Sequence, residues 1–280
     1  MDQGRIGYGL LVGTLGLAFW AAFAFIHPLT VTFLDVGQGD AILIQTPEQR
    51  AILIDTGPTG QVVTQLGNTL PFFKKKIDLF ILTHPDLDHY GGLMDVIDHY
   101  QIERVALTGI AGGSAFYRET IQQLNARGVE WWFLSADQDL EISQGVVLDV
   151  LYPLPHQPLV GQAVKNKNDT SIAVRLLKQT PEAWQPLMTL TGDAEADQER
   201  ELLRSGQALS APILKAGHHG SRTSSTPEFV AAVQPKTVVI SAGRDNSFGH
   251  PHPEVMDRFS GLEIRQTMNE GNITFSFSNE

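Results

Sequence analysis

The sequence predicts an α/β fold with mixed β-sheets covered by helices. After residue 30, short apolar runs at residues 31–36, 41–44 and 51–54 are separated by turn residues, a pattern typical of hairpin-linked strands. Later apolar runs alternate with segments of helical periodicity. Because a strand meander gives antiparallel pairs and alternating strands and helices give parallel pairs, we expect sheets that contain both.

The remaining elements follow from the same two patterns. Strands are predicted at residues 79–82, 105–107, 172–177, 187–190, 213–214 and 237–240. Helices are predicted at residues 91–99, 115–127, 195–203 and 227–233. The proline- and glycine-containing stretch at residues 153–167 is predicted to be a loop insertion.

Composition excludes several classes of protein. With 280 residues, 42% apolar and 18% charged, the chain can bury a large core and is neither disordered nor a coiled coil. Its net charge of −11 argues against a general nucleic-acid coat protein. There is no cysteine, so any metal must be held by histidine and carboxylate side chains.

The N-terminal segment has the character of a membrane anchor. Residues 6–26 carry no charge, and about 21 residues form a helix of ~31 Å, enough to cross a bilayer core. We therefore predict an anchor or signal sequence at residues 1–29, followed by one domain at residues 30–280. Ala22 and Ala24 fit a signal-peptide cleavage site. The apolar run is longer than the apolar core of a usual signal peptide, which favours an uncleaved, single-pass anchor. Because a short N-terminus stays in the cytoplasm by default, the domain is expected outside the cytoplasm. Secretion after cleavage is the alternative.

One cluster of polar residues lies at a predicted strand-to-helix turn. The strand at residues 79–82 is followed by His84, Asp86, Asp88 and His89. A capped helix N-terminus would explain one of the aspartates but neither histidine. Four potential metal ligands therefore meet at this turn.

Two further clusters follow other predicted strands. Asp193 comes after the strand at residues 187–190, and His218 and His219 come after the strand at residues 213–214. Open α/β sheets bind ligands beyond the carboxyl ends of their strands. The sequence therefore predicts one metal site built from imidazoles and carboxylates.

These motifs resemble a known superfamily. His84-x-Asp86-x-Asp88-His89 is similar to the HxHxDH signature of the metallo-β-lactamase superfamily, with Asp86 in place of the middle histidine. The chain further resembles the C-terminal metallo-β-lactamase-like domain of ComEC/Rec2 DNA-uptake (competence) proteins. The segments that carry this resemblance are LDVGQGDA at 34–41, LIDTG at 53–57, NDTS at 168–171, GD at 192–193, KAGHHGS at 215–221 and GHPHP at 249–253. It implies an αββα four-layer sandwich with two mixed β-sheets. The apolar run at residues 6–26 would precede this sandwich as one N-terminal transmembrane helix.

The resemblance also implies a cofactor and roles for the ligands. Two divalent metal ions, Zn²⁺ or Mn²⁺, would be bound, with Asp193 as the bridging ligand. The implied metal ligands are His84, Asp86, Asp88, His89, Asp169, Asp193 and His218. The implied catalytic residues are Asp88, Asp193 and His219, the last as a proton donor or phosphate contact. Which histidine of the adjacent pair is the ligand stays open, as does the group that replaces the histidine of the superfamily's third motif.

Three functions remain in view. The first is a membrane-tethered binuclear metal-dependent hydrolase, a phosphodiesterase or nuclease acting on single-stranded DNA in or near competence-type uptake. Lys215, Arg222 and Arg244 are candidate phosphate contacts for it. The second is a hydrolase of a small phosphoester or other ester. The third is a non-catalytic partner domain of an uptake machine. No glycine loop of a nucleotide-binding type is present, so no nucleotide cofactor is expected.

Overall fold

The structure, a computed structural model, describes residues 27–157 and 159–278. The predicted anchor at residues 6–26 lies outside the described residues. Within the described part of the chain, no helix combines the length and the hydropathy that a membrane span requires.

The strands and helices are first given with their bounds. In chain order, the strands of the described residues are β1 (Leu29–Phe33), β2 (Ile42–Gln45), β3 (Ala51–Ile54), β4 (Lys76–Ile77), β5 (Leu79–Ile81), β6 (Gln101–Ile102), β7 (Arg104–Leu107), β8 (Glu130–Phe133), β9 (Leu140–Ser143), β10 (Val146–Tyr152), β11 (Ala173–Gln179), β12 (Trp184–Leu190), β13 (Ile213–Lys215), β14 (Thr237–Ile240), β15 (Glu263–Gln266) and β16 (Ile273–Phe277). The α-helices are α1 (Gln61–Thr69), α2 (Leu87–Tyr90), α3 (Leu93–His99), α4 (Ala115–Ala126), α5 (Ala196–Ser205), α6 (Pro227–Val233), α7 (Pro253–Arg258) and α8 (Thr267–Glu270). Short 3₁₀ turns lie at Asn168–Thr170 and Gly217–Gly220.

Two seven-stranded mixed sheets form the centre of the fold. The first has the strand order β16-β1-β2-β3-β5-β7-β8, with antiparallel pairs from β16 to β3 and parallel pairs from β3 to β8. The second has the order β15-β14-β13-β12-β11-β10-β9, parallel from β15 to β12 and antiparallel from β12 to β9. The predicted α/β fold with mixed sheets is therefore confirmed.

The apolar side chains pack in three layers between the sheets and helices. One cluster lies between the two sheets and contains residues of both, such as Phe33 and Leu176. A second joins the first sheet to α1, α3 and α4, and a third joins the second sheet to α5, α6 and α7. The order of layers is thus helix, sheet, sheet, helix.

Local sequence signals explain why several elements lie where the patterns predict. Strands β3 and β14 have the predicted bounds because each is a short run of fully buried apolar or β-branched residues. Helix α6 begins where predicted, because the Thr226 hydroxyl accepts a hydrogen bond from the Phe229 N–H at 3.4 Å and Pro227 occupies the first turn.

The strand ends bring distant segments of the chain together at one edge. Strands β3 and β5 end just before Asp55 and His84, and β12 and β13 end just before Asp193 and His218. The two sheets are tied at this edge by a hydrogen bond from Ile172 N to Thr83 O at 3.0 Å. This edge holds the candidate site.

Candidate metal centre

Four imidazole rings converge on one carboxylate oxygen. The Nε2 atoms of His89 and His219 lie 3.2 Å and 3.3 Å from Oδ2 of Asp193. Those of His218 and His84 lie 3.8 Å and 4.0 Å from the same oxygen. Asp193 is buried, with a side-chain exposure of 2%. The predicted residues from three separate segments therefore meet around Asp193.

Two more predicted carboxylates lie on opposite sides of this centre. Oδ2 of Asp88 is 3.3 Å from Nε2 of His219, whereas Oδ2 of Asp86 is 3.7 Å from Nε2 of His84. Asp88, His89, Asp193 and His219 each offer a ligand atom, and these four atoms lie within 4.8 Å of one another. The geometry gives one compact four-ligand group, with His84 and Asp86 beside it.

Asp55 orients the ring of His89 through Nδ1, the ring nitrogen that does not face Asp193. Its Oδ2 lies 2.7 Å from Nδ1 of His89, and both side chains are fully buried. Asp55 also accepts hydrogen bonds from the N–H of Thr83 at 2.9 Å and from its hydroxyl at 2.6 Å. Because Nδ1 is engaged by the carboxylate, Nε2 is left to face Asp193.

The other three rings follow the same arrangement. In each, Nδ1 faces a polar group of the protein while Nε2 faces Asp193. The partners of Nδ1 are Ser171 Oγ at 3.2 Å for His84, Glu195 Oε1 at 3.0 Å for His218 and the carbonyl oxygen of Ser241 at 2.9 Å for His219. This arrangement is the one that metal-binding histidines usually show.

Three of the four inward-facing Nε2 atoms have no hydrogen-bond partner within the described part of the chain. Nε2 of His84, His89 and His219 is buried in each case without a hydrogen bond. Leaving a buried polar atom unsatisfied costs about 1–3 kcal/mol, so three at one point are unfavourable unless a further group binds there. A divalent cation satisfies imidazole nitrogens and carboxylate oxygens together, so these residues fit a metal ion.

The electrostatics of the cluster also favour a cation. Burial alone would lower the pKa of His89, but the negative charges of Asp193 and Asp55 outweigh it and raise that pKa well above its ordinary value. The pKa of His219 is raised in the same way, mainly by Asp193 and Asp40. A negative potential that holds protons on buried imidazoles also attracts a metal ion.

The two adjacent histidines occupy an unusual turn. His218 and His219 have φ angles of 45° and 55°, in the left-handed region that costs free energy for residues other than glycine. The structure places His219 in the four-ligand group, and it places His218 beside Glu195 and Asn168. Of the two adjacent rings, whose roles the sequence leaves open, His219 is therefore the one that lies beside Asp88, at 3.3 Å.

Asp169, a predicted ligand, lies outside this cluster. Its Oδ2 accepts a hydrogen bond from Asn166 Nδ2 at 2.9 Å, and burial raises its pKa. Its neighbour Asn168 approaches the centre instead, with Nδ2 3.3 Å from Nδ1 of His218. The side chain of residue 169 points to a separate polar group because the 3₁₀ turn at Asn168–Thr170 directs successive side chains apart.

A buried ion pair supports the centre and was not predicted. Lys215 is fully buried, forms an ion pair with Asp40 and donates to the carbonyl oxygen of Gly192 at 2.8 Å. Burial would raise the pKa of Asp40, but Lys215 and His219 outweigh it and lower that pKa to about 2. Lys215 is therefore not available to contact a phosphate. The sequence feature that could have indicated this pair is a lysine at the end of the apolar run Ile213–Lys215, because a buried lysine is almost always paired.

Two other functional candidates were missed from the sequence. Glu195 binds His218, and the ammonium group of Lys167 contacts both Asp86 and the carbonyl oxygen of Pro85. Lys167 keeps 38% of its side chain exposed, so it brings positive charge to the open rim of the centre. Of the other predicted phosphate contacts, Arg222 is exposed, and Arg244 donates to the carbonyl oxygen of Met268.

Comparisons with known proteins agree with the fold and the motifs. A model of the metallo-β-lactamase superfamily matches residues 34–161. The chain is 31% identical to ComE operon protein 3 of Bacillus subtilis (strain 168) over 268 residues, which cover 89% of this chain and 33% of that protein. It is 28% identical to Competence protein ComA of Neisseria gonorrhoeae over 249 residues, covering 88% of this chain and 32% of that protein.

A solved structure shows the same fold. The metallo-β-lactamase fold protein YhfI from Bacillus subtilis superposes with a TM-score of 0.55 and 13% sequence identity, covering 88% of this chain and 99% of that one. The chain spans about a third of the length of the two curated relatives, at 33% and 32%.

Proposed function

Because residues 34–161 match the metallo-β-lactamase superfamily and the site brings together side chains that can hold a metal ion, we propose that the chain is a metal-dependent hydrolase that cleaves phosphodiester bonds of single-stranded DNA in competence-type uptake. The observation that carries this proposal is the convergence of four Nε2 atoms on Oδ2 of Asp193. Such a centre suits a reaction in which negative charge develops on oxygen.

A divalent cation bound here would supply Lewis-acid chemistry, polarising the bond to be cleaved and lowering the pKa of water. The chain's own residues would hold the cation. Asp88, His89 and His219 form one side of the site, and Asp193 is shared with the other side. Asp55 keeps the ring of His89 in its binding orientation.

His218 is proposed to complete the other side of the site. Its Nδ1 is held by Glu195, as Nδ1 of His89 is held by Asp55, and its Nε2 faces the same Asp193 oxygen as His84 does. This ring can take the place of the histidine that the third motif lacks. The proposed ligands of this side are therefore His84, Asp86, Asp193 and His218.

The relatives and the rim of the site support a nucleic-acid substrate. One relative is named as a competence protein, and the ComEC/Rec2 proteins that the motifs resemble are DNA-uptake proteins. Lys167 brings an ammonium group to the rim, where it can contact a phosphate. The net charge of −11 opposes general electrostatic attraction of DNA to the surface. We therefore limit the proposal to single-stranded DNA that the uptake process brings to the site.

The test uses the full chain purified in detergent, with its metal content measured by mass spectrometry. It is incubated with Mn²⁺ or Zn²⁺ and a labelled single-stranded oligonucleotide, and separately with bis(p-nitrophenyl) phosphate. We expect cleavage of both, reduced more than ~100-fold in Asp193→Asn through loss of the shared ligand. Asp169→Asn, which removes a carboxylate outside the cluster, is the matched control and is expected to stay active.

The other outcomes separate the alternatives. Cleavage of the small diester but not of DNA favours a hydrolase of small phosphoesters, which needs no extended basic groove. A chain that binds no metal contradicts the hydrolase proposal and favours a partner domain.

A further inference from the structure

A loop on the far side of the molecule exposes two phenylalanines. We define the Phe-Lys loop as residues 71–76, with the sequence PFFKKK. Phe72 and Phe73 are 88% and 67% exposed, and Phe72 is the most exposed large apolar side chain of the described residues. Their rings pack edge to face at 5.5 Å. Single exposed apolar residues are common, but two adjacent rings at a loop tip indicate a surface that meets an apolar phase.

The three lysines that follow give the loop a positive balance. Lys74 pairs with Asp78 at 2.9 Å, and Lys76 pairs with Asp78 at 3.3 Å and with Glu103. Lys75 is exposed, with its ammonium 5.2 Å from the centre of the Tyr100 ring. Three cations therefore face two carboxylates in a chain whose net charge is −11. Adjacent phenyl rings and lysines are typical of segments that bind the surface of an anionic membrane.

The position of the loop points to the same partner. His27, Pro28, Leu70, Pro71 and Lys74 line one groove. The loop thus lies beside the point where the described chain begins, directly after the uncharged run at residues 6–26. A bilayer entered by that run would be in reach of Phe72.

The loop and the metal centre lie at opposite edges of the first sheet. Strands β1, β3 and β5 begin at the loop edge, and β3 and β5 end just before Asp55 and His84. Strands of three to five residues span ~10–17 Å, so the two edges are separated by the length of these strands.

We propose that the Phe-Lys loop inserts Phe72 and Phe73 into the surface of a bilayer containing anionic phospholipids, so that the metal centre faces away from the membrane. The rings supply apolar contact, and the lysines, Lys75 above all, contact the headgroups. This inference is independent of the proposed hydrolase activity, because it rests on the edge of the sheet opposite the site.

The test exploits the absence of cysteine from the chain. Single-cysteine variants of the full chain are labelled with an environment-sensitive fluorophore and reconstituted into vesicles of phosphatidylcholine and phosphatidylglycerol containing brominated lipid. Phe73→Cys reports on the loop. Val160→Cys, at a position that is 53% exposed and lies near Gly109 after β7, reports on the edge of the metal centre.

We expect the probe at residue 73 to emit at shorter wavelength and to be quenched by bromines placed ~5–10 Å below the headgroups, the depth of interfacial segments. The probe at residue 160 should be unquenched. Quenching at residue 73 should fall when phosphatidylglycerol is omitted. It should also fall when Phe72→Ser is added to the labelled chain, but not when Phe133→Ser, at a 48% exposed position, is added.

Two results would overturn the proposal. One is a residue 73 probe that stays unquenched in vesicles holding the full chain, which would favour a protein-binding surface instead. The other is equal quenching at residues 73 and 160, which would show that the domain has no fixed face toward the lipid.

Discussion

Asp55 and His89 form a fully buried pair, with Oδ2 of the carboxylate 2.7 Å from Nδ1 of the ring. The other ring nitrogen of His89 faces Asp193 at 3.2 Å. Asp55 therefore acts on the metal centre through His89. Carboxylates that orient a ligating histidine contribute to affinity without touching the ion.

We predict that Asp55→Asn weakens metal binding by about 10–100-fold, because the amide neither fixes the ring nor supplies negative charge behind it. Isothermal titration with Mn²⁺ or Zn²⁺ measures the effect. Asp98→Asn is the control, since Asp98 is 61% exposed and pairs with Arg127. Equal affinities for Asp55→Asn and the unmodified chain would contradict this role for Asp55.

The buried pair of Lys215 and Asp40 gives a second prediction. Lys215→Met should lower the free energy of unfolding by about 3–5 kcal/mol, because it leaves Asp40 charged and buried without its partner. Adding Asp40→Asn to this variant should recover much of the loss, because no unpaired charge then remains. Urea denaturation of the two single variants and the double variant measures the coupling. If the loss of unfolding free energy in the double variant equals the sum of the losses in the two single variants, the two residues do not act as a pair.

A close approach of two backbone segments gives the third prediction. A Cβ atom at Gly39 would lie 2.2 Å from the carbonyl oxygen of Asp88, whereas one at Gly37 would meet nothing within 4 Å. Both glycines have positive φ angles, 141° and 78°. Gly37→Ala should therefore cost only backbone strain, about 1–2 kcal/mol.

Gly39→Ala should cost more, because the segment carrying Asp88 has to move. The displaced ligand should also weaken metal binding in Gly39→Ala but not in Gly37→Ala. Thermal unfolding and metal titration of the two variants give the comparison. Equal effects on both measurements would show that the contact with Asp88 is unimportant.

The sequence predicted those parts of the fold and site that depend on local patterns. Strand β3 and helix α6 follow from a buried apolar run and from a capping residue. The approach of His84, Asp193 and His219 follows from their places just after strand ends, because the sheet topology brings those ends to one edge. These features need no knowledge of exact side-chain direction.

The features that the sequence did not predict depend on direction and on distant pairing. His218 and His219 are adjacent, and only their left-handed backbone angles decide which ring faces Asp88. Asn168 and Asp169 are distinguished in the same way by a 3₁₀ turn. Lys215 and Asp40 are 175 positions apart, so no local pattern could reveal that they pair.

Removal of metal gives a fourth prediction. A ligand that binds only the folded state stabilises it by about 4 kcal/mol when present at 1,000 times its dissociation constant. Treatment of the full chain with a chelator should therefore lower the melting temperature, and added Mn²⁺ or Zn²⁺ should restore it. Asp193→Asn should lose this response, and Asp169→Asn should keep it. A melting temperature that does not respond to metal in the unmodified chain would count against a metal centre.

The last prediction concerns Asp78, which holds the base of the Phe-Lys loop. It accepts a hydrogen bond from the N–H of Ala51 at 2.8 Å and pairs with Lys74 and Lys76. Burial would raise the pKa of Asp78, but the Ala51 hydrogen bond and the two lysines outweigh it and lower that pKa below its ordinary value of 3.8. A lowered folded-state pKa means that the ionised carboxylate stabilises the fold above the unfolded-state pKa. The contribution is lost as pH falls through the folded-state value.

Asp78→Asn should therefore be less stable than the unmodified chain by about 1 kcal/mol at pH 7, since the hydrogen bond to a charged group is weakened while the partly exposed lysines add little. The difference should shrink as pH falls below ~4, where the unfolded carboxylate takes up its proton. Urea unfolding at a series of pH values measures it, with Asp137→Asn at an exposed position as the control. A stability difference that stays constant from pH 7 to the acid limit would show that the charge of Asp78 does not stabilise the loop.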